Sequence, residues 1–222
     1  MNPVVDIFIR TYSRDAEYHR YCMQSIAKFC KGFRQTVVVH RDDANQKIGY
    51  LAQQVTKLTA YKHTDADIVL ITDSDTLVHE PVTPESFMRE GKPIWMVTPW
   101  NDELRAHEGL MTWYRVMQEF FGEDPPYEMM RRHPFMIPVK VLEGLRDFCW
   151  QRHGRTIEEY PFDKGAFSEF NVIGMYAWLH HRDDFYWMNS EEECPPPKLT
   201  QFWSWDPVEK NLPAIKKILG QP

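Results

Sequence analysis

The sequence predicts an α/β protein built on an open, mostly parallel sheet flanked by helices. Three observations carry this reading. Residues 4–73 alternate strand-like and helix-like runs in the order β-α-β-α-β, the strand-like runs are short and β-branched, and the helix-like runs between them are long enough to serve as crossovers.

Taken in order, "VVDIFIRTY" (4–12) alternates and reads as the first strand. Tyr18, Tyr21, Cys22, Ser25, Ile26, Phe29 and Cys30 recur at helical spacing, with Gly32 as the expected stop. "QTVVVHR" (35–41) has the all-apolar character of a strand buried on both faces. A helix is expected over 46–64 despite Gly49, then a third strand, "DIVLITD" (67–73). Further on, 93–100 reads as a strand and 102–122 as one helix closed by glycine. Residues 127–138 are expected to be extended, because Pro134 and Pro138 oppose helix. Helices follow over 139–154 and, after a Ser168 cap, 168–181. "DFYWMN" is a short strand, 191–207 a proline-interrupted loop, and an amphipathic helix ends the chain.

Composition narrows the class. The 222 residues are 43% hydrophobic and 26% charged, enough for one domain (1–222) with a real core. A net charge of −6 argues against a nucleic-acid binder, which needs a basic patch to neutralise phosphates. No run of 18 apolar residues is present, and the N-terminus lacks the pattern of a signal peptide. The cysteines, 22, 30, 149 and 194, form no CxxC pair or zinc pattern, and Cys22 and Cys30 are about 12 Å apart on a helix. These features predict a soluble, cytoplasmic protein with free thiols.

The stretch with most chemical content is "VLITDSDTLV" (69–78). With 15 aspartates, about one Asp-x-Asp is expected by chance. Two occur, on either side of one strand. Asp65 and Asp67 precede it and are expected to be solvated or capping. Asp73 and Asp75 follow it, at the carboxyl end where open parallel sheets bind ligands. In extended backbone, residues two apart point the same way. Asp73 and Asp75 would then share one hard cation, Mg²⁺ or Mn²⁺, leaving its other positions to diphosphate oxygens. The plain alternative is a loop of solvated acids.

On these residues the chain resembles the GT-A-type, nucleotide-sugar-dependent glycosyltransferases. The stretch "QQVTKLTAYKHTDADIVLITDSDTLVHEPV" (53–82) and the "IRTYSRD" turn carry the resemblance, and "RRHPFMIP" and "SEFNVIGMYAW" are more loosely like small transferases of large algal viruses. The resemblance implies a GT-A-like, Rossmann-like sheet with a nucleotide-sugar half (about 1–100) and an acceptor half (about 101–222). It implies a hexosyltransferase using a UDP-sugar, Mn²⁺ or Mg²⁺, and a hydroxyl of a glycan or glycoprotein acceptor. Many relatives add a third metal ligand, often His, near the C-terminus, and no histidine follows His181 here.

Arg10, Thr11, Tyr12 and Arg14 end the first strand, where an aromatic would stack on a base and a guanidinium pair with phosphate; an ordinary polar turn has the same composition. Lys57 would reach the diphosphate, or remain solvated. Ser74 is counted with the donor-binding residues, and His133 would contact substrate or be structural. Trp203 and Trp205 suit an aromatic lid or simple packing. For an inverting reaction the expected proton acceptor is Glu169, in the first turn after Ser168, with Asp163 in reserve; a retaining reaction needs neither. Two alternatives stand beside this: a non-catalytic nucleotide-sugar or glycan-binding module, and a haloacid-dehalogenase-type phosphatase. The phosphatase motif, Asp-x-Asp-x-Thr/Val, meets Leu77 here.

Overall fold

The computed structural model describes residues 3–41, 46–131, 134–162 and 167–221. Strand β1 (Val5–Thr11) is buried along its length and connects through α1 (Ala16–Phe29) to β2 (Thr36–His40). Helix α2 (Gln46–Leu58) then leads to β3 (Ile68–Asp73). Both β2 and β3 pair with β1 in parallel, as the alternating pattern predicts. The β1 residues Val5, Ile7 and Ile9 pack with Cys22 and Ile26 of α1, whereas Phe8, Val69 and Ile71 face the opposite apolar layer. The strand period of two thus feeds a core on each face of the sheet.

Beyond β3 the chain is more irregular. Strand β4 (Thr76–Val78) follows at once, and β5 (Met88–Arg89) turns back on β6 (Lys92–Pro99). Helices α3 (Asp102–Ala106) and α4 (Glu108–Phe121) lead to β7 (Tyr127–Glu128), which pairs with β6, and to β8 (Phe135–Pro138). Strand β8 joins the main sheet antiparallel to β3, giving the order β2-β1-β3-β8. Helices α5 (Val139–His153) and α6 (Glu169–His180) follow, then β9 (Tyr186–Asn189), parallel to β6. Strand β10 (Leu199–Gln201) pairs antiparallel with β4, and α7 (Val208–Leu219) packs on α1.

Several expectations are corrected. Strand β2 is an edge strand with alternating half-buried and exposed residues, because apolar composition alone does not distinguish an edge from a centre. Helix α1 stops at Phe29: Cys30 turns extended and bridges Val82, and Gly32 (φ +77°) lies beyond the cap. Helix α2 ends at Leu58, and Ala60–Lys62 tighten into a 3₁₀ turn. The helix expected over 102–122 is broken at His107, whose ring Nδ1 accepts from Leu110 N and starts α4 afresh. Strand β10 lies inside the stretch read as loop. Gly122 and Gly154 do close their helices in the left-handed region, and Ser168 caps α6 by accepting from Asn171 N.

Helix α6 is buried on every side from Glu169 to Ala177. It lies against α2, α4 and α5, so a charged residue in its first turn must find a buried partner.

Candidate functional site

The register of β1 and β3 sets Arg10 beside Asp73 at the carboxyl edge of the sheet. The chain then turns through Ser74 and Asp75 into β4. This turn, rather than the extended backbone expected, orients the second aspartate. Because β10 pairs Gln201 with Thr76, the Gln201 amide is delivered to both carboxylates. Its Nε2 donates to Asp73 Oδ2 at 3.2 Å and to Asp75 Oδ1 at 3.3 Å. The other Asp75 oxygen accepts from Ser204 N at 2.8 Å. Asp75 is 7% exposed. Burial first, and then the neighbouring charge of Asp73, push its carboxyl up to about 6.

A third acid adjoins the pair. Asp15, just before α1, accepts from Ser74 Oγ at 3.0 Å and is itself buried. Burial raises its pKa despite hydrogen bonds from Ser204 and Ser74. Behind Asp73 lies Lys57 of α2, fully enclosed, its ammonium 2.5 Å from Asp73 Oδ1 and 2.8 Å from Glu169 Oε1. Burial works against the charged ammonium, but the two carboxylates overcome it and hold Lys57 above the ordinary lysine range. Glu169 is 2% exposed, and its Oε2 accepts from Gln54 Nε2 at 3.1 Å. Gln54 also binds Phe167 O at 2.9 Å, which ties α2 to the start of α6.

Among the other expected site residues, Thr11 is buried at the same edge, and Arg10 donates to Arg41 O (3.3 Å) with its guanidinium 5.4 Å from the Tyr12 ring. Arg14 is exposed nearby. His133 and Asp163 lie outside the described residues. The control pair sits at the far end of the strand: Asp65 pairs with Arg34 at 2.7 Å, and Asp67 Oδ2 accepts from Val4 N at 2.7 Å. Sequence reasoning missed Asp15, Gln201 and Ser204. Nothing local marks them, since Gln201 and Ser204 are brought in by the pairing of β10 with β4.

The donor set fits a hard divalent cation. Asp73 Oδ2 and Asp75 Oδ1 converge on one point, the Gln201 Nε2, and the charge of Asp73 adds to burial in raising Asp75. Among the described residues no cluster of three or more His, Cys, Asp and Glu is placed to hold a metal.

No protein-family model matches the chain, and no curated protein matches it in sequence. Its structure is similar to that of galactosyltransferase LgtC, solved with donor and acceptor sugar analogs. The TM-score is 0.51 with 12% identity, over 97% of this chain and 95% of that one. A glycosyltransferase involved in glycosylation of the major capsid of PBCV-1 overlaps at TM-score 0.44 with 11% identity, over 85% of this chain and 82% of that one. At that score the second likeness adds nothing to the assignment. The chain therefore has a GT-A-like fold: a mixed α/β architecture with flanking helices and a central sheet whose strands are mostly parallel. At 12% identity the likeness is one of fold. Among the described residues no helix is long and apolar enough to cross a membrane.

Proposed function

We propose that this protein is a metal-dependent glycosyltransferase that moves a hexosyl group from a UDP-sugar to a hydroxyl of a glycan or glycoprotein acceptor. The observation that supports it most is the convergence of the Asp73 and Asp75 carboxylates on one point at the ligand-binding edge of a GT-A sheet. These two residues would hold Mn²⁺ or Mg²⁺, which when bound offsets the charge of a departing nucleotide diphosphate.

The remaining roles follow from what each side chain touches. Lys57 fixes Asp73 from behind, so its ammonium orients that carboxylate rather than meeting the diphosphate itself. Glu169 of α6 in turn holds Lys57, and Gln54 of α2 holds Glu169. Glu169 is thus a positioning residue acting through Lys57, with both oxygens engaged. Arg10, Thr11 and Tyr12 flank the place for the nucleotide, Arg14 stands outside it, and Ser74 is oriented by Asp15.

Thermal unfolding with a panel of nucleotides and nucleotide sugars tests the reading. UDP or a UDP-sugar at 100 times its dissociation constant adds about 2.7 kcal/mol, and only with Mn²⁺ or Mg²⁺ present. Equal stabilisation in EDTA overturns the metal assignment. Binding with no hydrolysis or transfer identifies a binding module instead.

A further inference from the structure

Beside the aspartate pair lies a cavity of about 360 Å³, lined by Thr76, Arg131, Phe135, Gln201 and Trp203 among others. Three of these are set up to receive a polar ligand. Thr76 is 2% exposed, and among the described residues its hydroxyl has no hydrogen-bond partner. Buried polar groups are normally satisfied, so this one calls for a ligand hydroxyl or a water. The Arg131 guanidinium is held 2.6 Å from Glu128, which is 1% exposed and also accepts from Met130 N and Asn171 Nδ2. Trp203 is 48% exposed, stacks on Trp205 at 4.5 Å, and takes a left-handed φ of +49°. A fixed guanidinium, an unpaired hydroxyl and an open aromatic face beside the cation-binding carboxylates match one sugar ring, with polar edges and an apolar face.

Phe135 and Pro197 line this cavity and also a second one, of about 330 Å³. The character of the second differs sharply. Phe87, Met88, Ile94, Met96 and Met188 supply its walls. Ile94 and Met96 share one face of β6 by the strand period, and Met188 is the register partner of Met96 on β9. The charges near it are neutralised in pairs, Arg89 with Glu193 and Lys198 with Glu80, each at 2.6 Å. Among the described residues that line it, each charged side chain is paired, and methionine side chains adapt to a flexible apolar chain.

We infer that the acceptor is an amphiphile: a sugar seated in the first cavity, carrying an alkyl chain that lies in the second. This rests on the glycosyltransferase reading and adds the substrate class to it. The occupant of the apolar groove is thus the alkyl chain of a glycolipid-type acceptor, not a peptide or a second copy of this chain.

Binding of matched methyl and n-octyl glycosides of glucose, galactose and mannose, below the micelle concentration, tests it by calorimetry on the whole protein. At least one octyl glycoside binds about tenfold tighter than its methyl partner, since burying about two methylenes suffices for that gain. The preference disappears in Met96→Glu and shrinks in the milder Met88→Gln, and it persists in Trp150→Glu, an exposed control on α5. Circular dichroism and thermal unfolding verify that each variant folds. Equal affinities in every pair, or a preference that both groove variants retain, overturns the inference. Metal-dependent nucleotide binding without an octyl preference defeats this inference alone. An octyl preference without nucleotide binding defeats the transferase reading and keeps the ligand class.

Discussion

Lys57 and Glu169 meet at 2.8 Å with side chains only 3% exposed, joining the helix before β3 to the helix that follows β8 and α5. This ion pair ties the site's back wall to the core. Removing one partner of a buried pair strands the other charge, which costs more than the pair contributes.

Lys57→Met leaves Asp73 and Glu169 facing each other without the cation between them. Unfolding stability falls by about 3–5 kcal/mol in urea titrations. Adding Glu169→Gln to that variant recovers part of the loss, with a coupling of about 0.5–3 kcal/mol. Additive losses would mean that the two side chains do not depend on one another.

Asp6, at the opposite edge of the sheet, gives a pH-dependent contrast. Burial alone would raise its carboxyl, but hydrogen bonds from Arg34, Thr64 and Gln35 hold it below the usual carboxylate range. Its contribution is therefore full above the unfolded value near pH 4 and disappears as pH falls through the lower folded value. Asp6→Asn costs about 2 kcal/mol at pH 7, less than a wholly buried pair because Arg34 is 35% exposed. The gap from wild type narrows toward pH 3. Asp65→Asn removes only a surface contact of the same arginine and costs at most about 1 kcal/mol. Urea unfolding at pH 7, 5 and 3 measures both.

Cation binding should be visible in tryptophan fluorescence. The Gln201 amide sits where the two carboxylates converge, and Ser204 N is bonded to Asp75, so a cation there disturbs the segment carrying Trp203 and Trp205. Titration with Mg²⁺ shifts the emission of that stacked pair, and EDTA reverses the shift. Asp75→Asn abolishes the response, whereas Asp65→Asn and Asp67→Asn keep it. A response lost equally in all three variants would place the cation elsewhere.

Much of this arrangement was legible in the sequence where the pattern is local. The β-α-β-α-β alternation set the direction of β3, and direction alone separated Asp73 and Asp75 from Asp65 and Asp67. Ser168, Gly122 and Gly154 marked helix ends because caps depend on one residue's own chemistry. Relations across the chain were hidden. Gln201 lies 126 residues from Asp75, and only the β4–β10 pairing joins them. Asp15 reads as one acid in a polar turn, and Lys57 as a lysine that reaches the diphosphate or stays solvated; its burial between Asp73 and Glu169 shows only once α6 is packed against α2.

The role of Glu169 yields the sharpest test, because its two possible functions predict different kinetics. In the first turn after Ser168 it has the charge and the helix-terminal setting of a proton acceptor. Its surroundings point to another task. One oxygen accepts from Lys57 and the other from Gln54, and the residue is 2% exposed. An acceptor hydroxyl would have to displace a buried ion pair to reach it. Glu169→Gln keeps the shape and one acceptor oxygen but removes the charge that helps hold Lys57. The loss of one charge-assisted hydrogen bond lowers stability by about 1.5–3 kcal/mol. Cation affinity shifts with it, because Lys57 then leans wholly on Asp73. Any fall in kcat follows the altered cation affinity and is relieved at saturating Mn²⁺, and the acidic limb of the kcat–pH profile keeps its position. A general base behaves otherwise: kcat falls roughly 10²–10⁴-fold at saturating Mn²⁺ and the acidic limb vanishes. That second outcome, at unchanged cation affinity, would return Glu169 to the reacting atoms.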